Sequence, residues 1–274
     1  MKPLIFGYAS WYVLWTAAGL VGSAVNFAAL RRLGVPAARA ALLLGVLPLL
    51  AVLGAKLFYV IENGLSVTAP WHHSGYRMPG GLLAFALGFV TLCRGLRIPV
   101  LGALDAIAPG VALVIAVGRI GCFLKGCCFG TVTELPWAVV FPSGSPAHTS
   151  HQAQQLLSPD AAGSLAVHPL SLYFSLDALA IAVFVLWLAR RARYPGQVFL
   201  WFVVLRTWSK AALESVRGDH VASGPNHSGE AELWVALASS AALIAVTGIR
   251  AARTRQARRS GAVSPAERAP WRAG

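Results

Sequence analysis

Four ionisable residues recur through RTWSKAALESVRGD, residues 206–219, in a chain otherwise poor in charge: Arg206, Lys210, Glu214 and Arg217. On a helix turning ~100° per residue, their spacing of i, i+4, i+8 and i+11 keeps all four within roughly 80° of arc. The stretch therefore predicts one polar stripe that offers three cations and one anion to a common cavity. Such a stripe suits holding a phosphate and moving a proton. A second constellation lies in GRIGCFLKGCCFG, residues 118–130. Arg119 can present a forked pair of donors to a phosphate, and Gly118, Gly121, Gly126 and Gly130 admit backbone or ligand at short range. Cys122, Cys127 and Cys128 crowd into the same stretch. They can pack as small buried side chains, pair, hold a soft metal or act as a nucleophile. Their spacing matches no standard zinc pattern, and no metal or other cofactor is assigned from it.

These residues must be positioned by apolar elements. The chain of 274 residues is 57% hydrophobic and 12% charged, with a mean hydropathy of +0.63. Soluble domains average about 25% charged residues, so this chain could not cover a water-facing surface, and lipid must be the solvent for much of it. Apolar runs at 5–30, 37–61, 79–96, 100–122, 168–189, 196–216 and 231–249 predict an all-α polytopic membrane protein of about seven spans. They form one transmembrane domain over residues 1–249, followed by a basic, disordered tail over 250–274.

The formal charge of +13 does not imply a nucleic-acid partner, because the basic residues sit in short loops between apolar runs rather than in a patch with aromatic neighbours. One set of loops collects Arg31, Arg32, Arg39, Arg94, Arg97, Arg190, Arg191 and Arg193, together with the tail, while the other set holds Lys2, Arg77 and Lys125. By the positive-inside rule the N-terminus is outside and the C-terminus cytoplasmic. Two segments on the outer side, 62–78 and 123–167, exceed simple connections. They carry His72, His73, His148 and His151, read as solvated loop histidines, and His168 opens the fifth span beside Pro169 and Tyr173. Asp105 and Asp177 are read as lying near cytoplasmic ends of their spans, within reach of loop arginines.

The stretch Gly118-Arg119-Ile120-Gly121 with Phe123, Gly126 and Gly130 resembles the signature of the prolipoprotein diacylglyceryl transferases. Gly80-Gly81 opening the third span, His168-Pro169 with Tyr173, Glu214 and Arg217 followed by Asp219, and Trp11-Tyr12 in the first span are similar to motifs of the same family. The resemblance covers roughly residues 5–249. It implies a multi-pass enzyme of the bacterial inner membrane that moves the diacylglyceryl group of phosphatidylglycerol, or another anionic phospholipid, onto the lipobox cysteine of a prolipoprotein signal peptide. Taken with the polar stripe, which alone supplies Lys210 and Arg206, it points to Arg119, Glu214, Lys210 and Arg206 as the residues that carry the chemistry, and to Arg217, Gly80, Gly81, Gly118, Gly121, Gly130, His168 and Tyr173 as those that receive the substrate. The chain departs from the pattern at Pro79, where the family has a histidine before the paired glycines, and at Cys122, Lys125, Cys127, Arg206 and Lys210. The alternative is a diverged relative that binds anionic lipid or does thiol chemistry through Cys122, Cys127 and Cys128 without the transfer.

Overall fold

The computed structural model describes residues 8–64, 75–219 and 228–259. They form eight helices: α1 (Tyr8–Arg32), α2 (Ala37–Glu62), α3 (Met78–Gly95), α4 (Val100–Lys125), α5 (Pro146–Ala153), α6 (Leu170–Ala189), α7 (Gln197–Glu214) and α8 (Ser228–Arg259). His72 and His73 lie outside the described residues. Six helices are long and apolar enough to cross a membrane. The other long helix, α7, has the 18 residues of α3 but carries Arg206, Lys210 and Glu214, which hold down its mean hydropathy. No strand forms among the described residues, and the architecture is that of an all-α polytopic membrane protein.

The helix ends fall where the chain loses its apolar run or meets a residue that cannot continue it. Pro36 and Pro99 stand at the N-caps of α2 and α4, where a missing N–H costs nothing. Gly126 closes α4 in the left-handed conformation, φ +75°. Helix α8 runs past Arg250, where the sequence places the start of the tail, as far as Arg259.

Helix α4 is the strut of the bundle, because its residues enter both membrane cores. Ala103 and Ile107 join Leu30, Leu43, Leu47 and Phe89 in one, and Ala108 and Ala112 join Ile181, Val185 and Phe202 in the other. Large apolar residues on the outer helix faces, among them Leu20, Leu49, Leu87, Leu176, Val183 and Ile244, are exposed. That is the arrangement lipid requires. Between α7 and α8 the contact is partly polar, with the Trp208 indole N–H donating to Ser240 Oγ (2.8 Å) and Thr207 Oγ1 lying 3.2 Å from Ser239 Oγ.

The sequence left open whether Asp105 of α4 does more than pair with a loop arginine, and among the described residues its hydrogen-bond partners are backbone groups. Its carboxylate accepts from the Gly196 N–H (2.6 Å) and the Phe199 N–H (2.9 Å), so it caps the N-terminus of α7 from a distant helix. Such a cap satisfies two donors that the helix cannot bond itself. Asp105→Ala is expected to destabilise the protein by about 1–2 kcal/mol. Thermal unfolding in detergent micelles checks this, and an unchanged melting temperature would show that water replaces the cap.

Candidate active site at the α4, α6 and α7 ends

Three chain segments are tied together at one end of the bundle by backbone hydrogen bonds. After Gly126, Cys128 also takes a left-handed conformation (φ +54°), and the chain turns back over the end of α4. The Gly130 N–H then donates to the His168 carbonyl (3.0 Å) and the His168 N–H to the Thr131 carbonyl (3.1 Å). On its other side the Thr131 N–H donates to the Val216 carbonyl (2.9 Å) and the Gly218 N–H to the Phe129 carbonyl (3.1 Å). Residues 129–131 thus clamp the start of α6 to the end of α7. Ser171 adds a side-chain tie, its Oγ reaching the carbonyls of Cys127 (2.9 Å) and Cys128 (3.1 Å). A β-carbon on Gly130 would run into His168 and the Val216 carbonyl, so this position needs glycine for the close approach.

The clamp gathers the charged residues. Arg119, near the end of α4, sets its guanidinium 4.6 Å from the ring centre of Phe174, and Arg206 sets its own 5.2 Å from the same ring. Phe174 is fully buried. Arg206 pairs with Asp177 of α6 (3.1 Å), and Ser209 Oγ donates to the same carboxylate oxygen (2.8 Å). Asp177 therefore answers an arginine inside the bundle rather than one in a loop. Among the described residues no hydrogen bond or ion pair meets the Arg119 guanidinium, which leaves its donors for a ligand.

The stripe expected on one helix is corrected at its end. Helix α7 stops at Glu214, and Arg217 lies past it, in the bridge to Gly130. Local helical geometry gives way there to hydrogen bonds from the distant 129–131 segment. Arg217 still faces Glu214 (3.3 Å) and makes a forked contact with Asp219, at 2.6 and 3.2 Å. Burial works against its charge, but the hydrogen bond to Asp219 and the charges of Asp219 and Glu214 more than offset this and hold it protonated. Lys210 stands one turn before Glu214, and both make further contacts in the bundle.

His168 and Tyr173 meet, with His168 Nδ1 3.2 Å from the Tyr173 hydroxyl, which also accepts from the Trp137 indole N–H (2.8 Å). The glycines are placed otherwise than a headgroup site alone would need. Gly118 packs on Trp15, Gly121 on Trp11 and Leu14, Gly80 on Phe58 and the Gly54 carbonyl, and Gly81 on Ala51 and Ala55. The space each glycine frees is filled by α1 or α2, so these are helix-packing positions. Sequence reasoning missed Phe174, Ser171 and Trp137. Nothing in their types sets them apart from ordinary span and loop residues.

The segment after α4 folds into a small lobe around Phe129, Phe141, Ala147 and Val167. Here the expectation of solvated histidines is overturned, because His148 and His151 are each 3% exposed. His148 Nδ1 accepts from the Gly144 N–H (3.3 Å) with Nε2 3.0 Å from the Ala161 carbonyl, and His151 Nδ1 accepts from the Leu165 N–H (3.2 Å). They stand in for backbone partners in a segment without strands. Burial, with the nearby His148, lowers the pKa of His151 below its ordinary value. In the interval between that value and the unfolded one near ~6.5, the unfolded chain binds the extra proton, so stability is lost as pH falls below about 6.5. The melting temperature is expected to drop between about pH 7 and pH 5, and to drop less in His151→Gln. An identical dependence in the variant would remove His151 as the cause.

Fold and site together define a class: a polytopic membrane protein with a cluster of arginines and carboxylates at one end of its helices. The family described as prolipoprotein diacylglyceryl transferase matches residues 5–252, and the chain belongs to that family. Among its relatives, the phosphatidylglycerol–prolipoprotein diacylglyceryl transferase of Clostridium tetani is 32% identical over 173 residues, which cover 61% of this chain and 64% of that protein. The protein of the same name from Brucella ovis is 33% identical over 178 residues, covering 61% of this chain and 57% of that one. A Wolbachia protein, again of that name, is 34% identical over 111 residues, or 38% and 42%. The matched stretch is in each case less than two thirds of the relative's length.

Proposed function

We propose that this protein transfers the diacylglyceryl group of phosphatidylglycerol to the lipobox cysteine of a prolipoprotein, at the outer face of the bacterial inner membrane. The observation that carries the reading is Arg119, a partly buried guanidinium without an ion-pair partner among the described residues, sharing the Phe174 ring with Arg206 in a member of this family. In the reaction the acceptor thiolate attacks the glycerol carbon, a C–S bond forms and a C–O bond breaks. The bonding electrons leave with glycerol phosphate. The step needs cations where phosphate charge develops and a group that takes the thiol proton. Arg119 and Arg217 meet the first need. With Pro79 in place of the family's histidine, Glu214, His168 or an outer-loop histidine is proposed to meet the second. The excess of loop arginines on one side supports an N-outside, C-cytoplasmic orientation, which places the lobe of residues 126–167 outside with the signal-peptide substrate.

The test is complementation of a cell depleted of its own transferase, read as the gel mobility of a test prolipoprotein, followed by assay of the purified protein with phosphatidylglycerol. A lipidated product is expected. Expressed, membrane-inserted protein that lipidates nothing in either setting would refute the reading. Glu214→Gln and His168→Gln then test two of the candidate proton acceptors.

A further inference from the structure

We propose that Cys122, Cys127 and Cys128 form a three-thiolate site for a soft monovalent cation, Cu(I). All three sulfur atoms lie within 4.8 Å of one another. Metal–sulfur bonds of about 2.3 Å put the sulfurs of a bound set just under ~4 Å apart, so modest side-chain adjustment closes the site. The three residues come from two differently folded pieces of chain, the last turn of α4 and the reversal that follows it. Gly126 at φ +75° and Cys128 at φ +54° fold Cys127 and Cys128 back over Cys122. A left-handed cysteine is a conformation that side chains rarely adopt and that gathers at functional sites. Ser171 holds it there through the Cys127 and Cys128 carbonyls.

The donor set selects the ion. Among the described residues no histidine or carboxylate joins this group, and a purely sulfur environment favours soft cations. Structural zinc asks for four ligands, whereas three thiolates complete the trigonal coordination that Cu(I) accepts. Three thiolates around one positive charge leave a double negative charge. Arg119, three residues before Cys122 on α4, and Arg217, bridged to Gly130, interact electrostatically with Cys122 and Cys128 and offset part of it. Cys122 is buried and the other two are half-buried, which opens the site to an ion and keeps most water out. On binding, three S–H bonds give their protons to solvent and three Cu–S bonds form, with no change of oxidation state. The bound ion would pin residues 127–128, from which the chain runs directly into the clamp between α6 and α7. A bound ion would share Arg119 and Arg217 with the proposed transfer site, so the test reads metal binding and thiol protection rather than turnover.

The full-length protein, purified in detergent under reducing, anaerobic conditions, is titrated with Cu(I) against a competing Cu(I) chelator. One equivalent is expected to bind, with a near-ultraviolet sulfur-to-copper charge-transfer band. Alkylation mapped by mass spectrometry is expected to show Cys122, Cys127 and Cys128 protected together while Cys93 is unaffected. Replacing all three with serine should abolish both the stoichiometric binding and the band. Because that variant can fail to fold, the alkylation map of the unmodified protein decides on its own: copper bound with these thiols still reactive would overturn the proposal. So would one-to-one Zn(II) binding without Cu(I) binding, or recovery of a disulfide among the three in protein isolated from membranes without reductant.

Discussion

Arg119→Ala is expected to lower the rate of lipid transfer by at least about 100-fold, the scale on which removal of one pre-positioned donor to developing charge acts. Position matters here more than charge. Arg206 and Arg217 are held by Asp177, Glu214 and Asp219, whereas Arg119 makes no such pair among the described residues. A ligand phosphate therefore does not have to compete with a protein carboxylate for it. Arg119→Lys should recover only part of the loss, because an ammonium keeps the charge and loses the planar fork. The assay is turnover of a lipobox peptide with phosphatidylglycerol, with melting temperature as the control. Wild-type turnover in the alanine variant would remove Arg119 from the chemistry and leave its role as packing on Phe174.

The second large effect is on stability. Asp177→Ala removes the carboxylate that the Arg206 guanidinium, 14% exposed, meets at 3.1 Å, and one of the two acceptors of the Ser209 hydroxyl, which keeps the Arg206 carbonyl at 3.2 Å. Breaking one side of a fully buried pair costs about 3–5 kcal/mol, and with Arg206 and Asp177 at 14% and 19% exposure and other contacts remaining at Arg206 the loss is expected to fall below that range. The double variant Asp177→Leu with Arg206→Met should recover most of that cost by removing both charges. Unfolding in micelles measures all three proteins. A loss in Asp177→Ala that the double variant fails to recover would mean that the carboxylate serves some other partner than Arg206.

The membrane architecture was readable from the chain because each span announces itself locally. Helices start after Pro36, Pro99 and Gly196 and α4 closes at Gly126, so most follow the apolar runs to within a few residues, while α8 extends to Arg259. Arg119 and the polar face of α7 were readable too, since charge inside an apolar run needs a reason. What the chain hid are relations between distant segments. Arg217 leaves the helical register because Phe129 and Thr131, far away in sequence, bond the backbone on either side of it, opposite Gly130. The carboxylate of Asp105 serves α7, and nothing near Asp105 in sequence hints at that helix. His148 and His151 read as loop residues because the small core that buries them forms only when residues 126–167 fold together. The glycines announced close contact without announcing the neighbour.

Phe174 carries two guanidinium groups on one buried ring. A ring face attracts a cation through its quadrupole while having no net charge of its own. A carboxylate in the same place would fix the arginine equally well and silence its field. The aromatic seat thus orders the Arg119 guanidinium without adding a charge that would neutralise it.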